Sequence, residues 1–322
     1  MPFWRRREGD RTPARRRNVE TRVRIGNLEL PNPIVVASGT FGHGDEVARL
    51  CDPAQLGAVT AKSLAPFAWA GNPAPRLHAT AAGMLNSVGL QGPGVEHWVD
   101  RDLPQLRARG ARVIASLWGR TIDDFATGAK MLGRAAPDLV AVEINVSCPN
   151  LHHGAELFAH NPEQTGRAVA AVVDADLGLP VLAKLAPDVS DIRPIAAAAL
   201  EAGATGLTLV NTVRGLLVDA AARRPQLGAG AGGLSGSAIK PIALRVVRDV
   251  ATAYPGVPII GTGGVTSGVD AVEMLLAGAT AVGIGTAIFD DPRAPLRVLD
   301  ELVEWCSERD VPRVADLVGA LD

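Results

Sequence analysis

The chain has 322 residues, 47% hydrophobic and 20% charged, with 35 glycines but only five Trp, six Phe and one Tyr; that balance excludes a disordered chain, and no apolar run reaches the ~18 residues needed to span a bilayer. Three widely spaced cysteines make neither a disulfide framework nor a zinc site, which points to a reducing, cytoplasmic setting. The net charge of −2 conceals an asymmetry: residues 1–17 carry seven arginines against Glu8 and Asp10, and the remainder is acidic.

In chain order, residues 1–21 come first, as a basic tail. Such an arm could bind nucleic acid or anionic lipid, but no apolar helical face accompanies the arginines, so it reads as a solvated, disordered tail. It is not a secretion signal, because Glu8-Gly-Asp10 and Thr12-Pro13 stand where an apolar stretch is required. The acidic body argues against nucleic acid as the main partner, and nothing suggests a membrane.

From Asn32 onward one unit repeats: a short β-branched run, a glycine-rich or polar loop, and an Ala/Leu-rich helical stretch. The expected strands are Pro33–Ser38, Ala58–Ser63, Arg112–Leu117, Leu139–Asn145, Pro180–Leu185, Gly206–Asn211, Pro258–Gly261 and Ala281–Gly285. Most are continuously apolar, as parallel strands covered on both faces are. Helices are expected at Thr121–Ala135, Pro162–Leu177, Asp191–Ala202, Ala238–Ala253 and Gly268–Ala277. Eight alternating units specify an α/β fold, a (β/α)8 TIM barrel formed as a single domain over residues 22–322. A Rossmann fold would place its glycine-rich loop after the first strand; here it follows the seventh. Two connections, Leu64–Val95 after the second strand and Val213–Ser237 after the sixth, are long enough to be functional.

Polar residues gather where the apolar strands end, on the barrel face that carries active sites. Around the ring these are Ser38, Lys62 with Ser63, Asn145 with Cys148, Lys184, Asn211 with Thr212, Gly263 with Gly264, and Gly285 with Thr286. Two lysines suit an anionic ligand or a developing negative charge, and asparagines suit an amide-rich planar one. The turns Gly261-Thr-Gly-Gly264 and Gly283-Ile-Gly-Thr286 follow strands seven and eight, where barrels commonly bind phosphate. Cys148, just past a buried strand and before Pro149, can serve as base or nucleophile if locally activated. Cys51, in the first helical stretch, and Cys306, in the last, read as packing residues.

At these residues the sequence resembles the class 1 dihydroorotate dehydrogenases over residues 22–310. The motifs are Ala37-Ser-Gly-Thr-Phe-Gly42, Gly71-Asn-Pro73, Met84-Leu-Asn-Ser-Val-Gly-Leu90, Asn145–Asn150, Asn211-Thr212, Gly232-Gly-Leu-Ser-Gly236, Gly261-Thr-Gly-Gly264 and Gly285-Thr286. Class 2 enzymes carry serine at the position of Cys148. The run Asn86-Ser-Val-Gly-Leu-Gln-Gly-Pro-Gly94 is most like the NAD-linked 1B catalytic subunit.

The resemblance implies FMN across the barrel mouth, held by Ser38, Lys62, Ser63, Asn145, Lys184, Val210, Gly236, Gly263, Gly264, Gly285 and Thr286. It implies (S)-dihydroorotate held by Lys62, Asn86, Ser87, Val88, Gly89, Leu90, Asn145, Asn150, Asn211 and Thr212, with Lys62 countering its carboxylate. Cys148 would take a proton from C5 while hydride leaves C6 for flavin N5, giving orotate for pyrimidine (UMP) synthesis; Lys184 would stabilise charge on the reduced ring. Electrons would pass to NAD through a separate iron–sulfur/FAD subunit, since this chain has no cysteine cluster for an iron–sulfur centre. A homodimeric core and no metal are expected. The alternatives are a fumarate-linked class 1A enzyme, a related FMN-dependent dihydropyrimidine-type oxidoreductase, or a non-enzymatic flavin-binding barrel. Two departures stand out: Ser116 where the family usually has asparagine, and Leu151-His-His-Gly-Ala-Glu156 where relatives often carry a lysine and paired glycines. His152 and His153 read as exposed loop residues.

Overall fold

The eight expected strands are all present and close into one parallel barrel in chain order, the eighth pairing with the first. The protein is described from a computed structural model that covers residues 19–147 and 158–321. Barrel strands one to eight are Ile34–Val36, Ala58–Thr60, Val113–Leu117, Ala141–Asn145, Val181–Leu185, Gly206–Leu209, Ile259–Thr262 and Ala281–Ile284. Every residue in them is buried, which explains the continuous apolar runs.

The main outer helices are Val95–Arg101, Leu103–Ala108, Ile122–Leu132, Pro162–Val173, Arg193–Glu201, Lys240–Ala253, Gly268–Ala277 and Ala294–Glu308. Starts are signalled locally. Thr121 and Ser267 each close a capping box with an aspartate three residues on, and Asn161 caps Gln164 N just ahead of Pro162. The stretch around Cys51 differs from expectation: residues 46–50 are turns, not helix, although Cys51 is fully buried. Cys306 lies in the last helix, buried beside Trp305 as expected.

Ahead of the barrel, Val23–Ile25 and Leu28–Leu30 form a hairpin that the repeating pattern did not foretell. Its Val23, Ile25 and Leu30 cluster with Val35, Ala58, Ile114, Ala141, Leu182, Ile260 and Ala281, so the hairpin plugs the barrel's N-terminal end. Glu20 is fixed too, its backbone bonding Pro312 O and Val314 N.

The two long connections meet over the opposite end. Leu77–Thr80 and Gly83–Asn86, from the second, pair with Val213–Gly215 and Gly232–Ser235, from the sixth, in one antiparallel sheet. Its central register, Asn86 with Gly233 and Met84 with Ser235, brings residues ~150 positions apart into contact. Two glycines permit that approach: a Cβ at Gly83 would fall 1.9 Å from Ser235 O, and one at Gly236 2.6 Å from Gly83 Cα.

Candidate active site

The sheet and the strand ends border an open cleft at the barrel's C-terminal mouth. Of the residues singled out from the sequence, Ser38, Lys62, Ser63, Asn86, Val88, Gly89, Leu90, Asn145, Lys184, Val210, Asn211, Thr212, Gly236, Gly263, Gly264, Gly285 and Thr286 all line it. Cys148 and Asn150 lie outside the described residues, as do His152 and His153. Ser87 is the exception: its side chain is fully buried, Oγ taking a hydrogen bond from Asn72 Nδ2 at 2.9 Å, and it does not line the cleft.

A hydrogen-bonded floor links four strands. Ser38 Oγ donates to Ala61 O at 2.8 Å and lies 3.2 Å from Ser63 Oγ; Asn145 Nδ2 donates to Ser63 Oγ at 3.0 Å. On the other side, Asn211 Nδ2 donates to Ser147 Oγ at 2.9 Å, and Ser147 Oγ donates to Asn145 Oδ1 at 3.1 Å. Asn211 Oδ1 in turn accepts the Thr212 amide at 2.9 Å. The asparagines are thus oriented by their neighbours before any ligand arrives. Lys62 and Lys184 place two cationic groups along this floor, with Lys62 Nζ over Gly39.

The glycine turns shape the far wall. Gly263 and Gly264 have φ of +133° and +77°, and a Cβ on Gly264 would strike the Lys240 backbone. Gly285 differs, since among the described residues a Cβ there would meet only Ala37 at 3.6 Å and Thr40 at 3.9 Å. The packing of the described residues therefore does not demand its missing side chain, which leaves room on the cleft side. Thr262 Oγ1 is buried in the same wall with no hydrogen-bond partner among the described residues. The turn is buttressed from behind by Lys240, whose Nζ contacts Asp270 at 2.6 Å and Glu273 at 2.7 Å. Burial works to raise the Asp270 carboxyl, but the Lys240 ammonium and donors from Thr266 and Ser267 outweigh it and hold the pKa at about 2.

The loop Asn86–Leu90 is held from outside the cleft. Trp69 Nε1 donates to Gly89 O at 3.0 Å, Asn72 N to Val88 O at 3.1 Å, and Ser87 N to Arg76 O at 2.7 Å. Trp69 stacks edge-on with Phe67 and Trp118, and the Arg120 guanidinium caps Phe67 at 4.3 Å.

Sequence reasoning missed several contributors, three of them informative. Ser116, noted only as a departure, does not line the cleft; it lies beneath, 2.9 Å from Ser63 Oγ, and donates to Glu143 at 3.3 Å. Glu143 carried a signal, as the only charged residue inside the apolar run Ala141–Asn145. Ser235 reaches the cleft through the antiparallel sheet, accepting from Thr286 Oγ1 at 2.7 Å.

Comparison with known proteins adds to this geometry. The sequence profile of the dihydroorotate dehydrogenase family matches residues 20–305. The chain is 44% identical over 306 residues to the dihydroorotate dehydrogenase B (NAD(+)) catalytic subunit of Alkaliphilus metalliredigens, covering 94% of this chain and 99% of that one. It is 43% identical over 300 residues to the protein of the same name from Geobacter sulfurreducens, covering 93% and 97%. A protein from Solibacter usitatus, provisionally assigned to the A (fumarate) type, is 45% identical over 297 residues, covering 92% and 97%. The chain belongs to the dihydroorotate dehydrogenase family.

Proposed function

We propose that the chain oxidises (S)-dihydroorotate to orotate in de novo pyrimidine biosynthesis, as the FMN-bearing catalytic subunit of an NAD-linked enzyme. One observation carries the reading: two lysines, three asparagines and two glycine turns converge on a single cleft in a chain of this family.

The cleft fits FMN. Gly285 leaves space that a methyl would fill, Thr262 Oγ1 offers an unpartnered hydroxyl, and Gly263 and Gly264 bring backbone close to the same wall. These residues with Thr286 and Gly236 would hold the phosphate end; Ser38, Lys62, Ser63, Asn145, Lys184 and Val210 would hold the ring. Bound FMN supplies the acceptor for the hydride that leaves C6 of the substrate.

The chain's own residues do the rest. Lys62 counters the substrate carboxylate, and Asn86, Asn145, Asn211 and Thr212 offer paired donors and acceptors to a cyclic amide. Val88, Gly89 and Leu90 shape the pocket, Asn150 completes the set, and Cys148 takes the C5 proton. The antiparallel sheet roofs the site and limits water. Residues 22–322 form the FMN-binding barrel, and residues 1–17 of the arm ahead of it are dispensable, whereas Glu20 is bonded to Pro312 and Val314.

Electrons leave through a separate iron–sulfur/FAD subunit to NAD, and the core is a homodimer. The Solibacter relative favours a second reading, in which fumarate is the acceptor. The test is direct. Purified protein should carry FMN that dihydroorotate bleaches anaerobically, and reoxidation should be compared with NAD, fumarate and quinone, with and without a partner subunit. Absence of flavin, or failure to bleach, would sink the proposal; fumarate turnover by the chain alone would select the second reading.

A further inference from the structure

One buried charge has no place in the reaction above. Glu143 lies mid-strand in the barrel, 2% exposed, and does not reach the cleft. Each of its carboxylate oxygens is engaged from a different strand: Ser116 Oγ donates to Oε1 at 3.3 Å and Thr208 Oγ1 to Oε2 at 2.9 Å. Lys184 Nζ stands 4.0 Å from Oε1, and Lys184 is itself only 5% exposed. Isolated charges are not tolerated at such depth, so each member of this pair needs the other.

The wiring continues upward. Ser116 Oγ lies 2.9 Å from Ser63 Oγ, which accepts from Asn145 Nδ2 at 3.0 Å. Three cleft-lining side chains, Lys184, Ser63 and Asn145, are therefore tied from below to one carboxylate. The other cation along this floor is Lys62, nearer the mouth; the remaining buried charge among the described residues, Asp270, is occupied by Lys240 behind the glycine turn.

We infer that Glu143 is a positioning residue: it anchors Lys184 and, through Ser116 and Ser63, Asn145, and its charge offsets that of Lys184 beneath the flavin. The second half rests on the flavin reading above; the first does not. A Lys184–Glu143 pair that is neutral before reduction leaves Lys184 to act on negative charge that appears only in the reaction.

Two measurements test it. In flavin-free protein, Glu143→Gln and Lys184→Gln should each shift the unfolding equilibrium by about a hundredfold or more, because each strands a buried charge. The double variant should shift it by far less than the product; multiplicative effects would overturn the pairing. In flavin-loaded protein, Glu143→Gln should raise the flavin midpoint potential, Lys184→Gln should lower it, and the double variant should return toward wild type. Glu143→Asp, which restores the charge, should recover most of the wild-type value. Reduced stability with an unchanged potential in Glu143→Gln would make Glu143 merely structural and overturn the inference. Should Glu143→Gln fail to fold, Ser116→Ala removes one donor without touching the cleft. It should weaken FMN binding roughly threefold to tenfold, and unchanged affinity would count against the wiring. A wild-type protein that binds no flavin would defeat the proposed function while leaving the stability cycle to decide the pairing.

Discussion

The same substitution at two cleft glycines should give opposite results, and Gly285→Ala is the sharper. Gly285 does not adopt the left-handed conformation, and among the described residues its new Cβ would make only ordinary contacts, 3.6 Å to Ala37 and 3.9 Å to Thr40. By itself such a change stabilises a fold by roughly 0.4–1 kcal/mol through the unfolded chain. The methyl would occupy the space assigned to the FMN phosphate. Displacing one charge-assisted hydrogen bond costs about 1.5–3 kcal/mol, or roughly tenfold to a hundredfold in affinity. Gly264→Ala behaves differently: with φ at +77°, the new Cβ would lie 2.8 Å from Lys240 N and 2.9 Å from its Cα. Left-handed strain of about 1–2 kcal/mol and a backbone clash of about 1–3 kcal/mol should destabilise the protein itself. Thermal unfolding of flavin-stripped protein, with FMN titration by fluorescence quenching, separates the two. Gly285→Ala should melt at or slightly above wild type yet bind FMN at least tenfold more weakly; Gly264→Ala should melt several degrees lower. FMN affinity within twofold of wild type in Gly285→Ala would refute the cradle.

Other predictions concern the supports of the site. Asp270 is held at about 2 against an ordinary 3.8, so its contribution is complete above about pH 4 and is lost as pH falls through 2. The stability gap between wild type and Asp270→Asn should be about 2 kcal/mol at pH 7 and should shrink in urea titrations toward pH 3; a gap independent of pH would exclude the Lys240 pairing as its source. Burial pushes the Cys51 thiol up to about 11 and also raises Cys306. Native protein treated with a thiol reagent at pH 8 should therefore be modified at neither, and labelling of Cys51 would contradict its packing. Trp69→Phe keeps the aromatic stack but deletes the bond to Gly89 O, worth about 0.5–1.5 kcal/mol. We expect the KM for dihydroorotate to rise roughly threefold to tenfold with kcat within twofold; an unchanged KM would show that the Asn86–Leu90 loop holds its shape without Trp69.

The barrel strands were legible because burial on both faces leaves a uniform apolar run between glycine and polar punctuation. The elements that went unread are those whose partners are remote. Val23–Ile25 and Leu28–Leu30 make sense only as a plug against Ile114, Leu182 and Ile260. The strands Gly83–Asn86 and Gly232–Ser235 are short and glycine-bearing, and each is specified by the other rather than by its own composition. Ser87 illustrates the same limit within a motif: its neighbours Asn86 and Val88 face the cleft, while its own side chain turns back to Asn72.

The buried polar layer shows how a continuous apolar run can still encode a site. Inward positions recur every second residue along a strand. Read that way, Ala58 leads to Thr60 and Lys62, Ile114 to Ser116, Ala141 to Glu143 and Asn145, Leu182 to Lys184, and Ile260 to Thr262. On five strands the inward side chain is apolar at the plug and polar one step nearer the mouth. The intervening outward residues, such as Val59, Val113, Ala115, Val142, Ile144 and Ala183, pack in the main core and hide the change from any window average. A barrel needs apolar filling only where no ligand enters, and its interior turns polar at the depth where the cleft begins. Glu143 belongs to that transition: it sits at the level where dry packing gives way to the wired floor, which is why a carboxylate can be buried there at all.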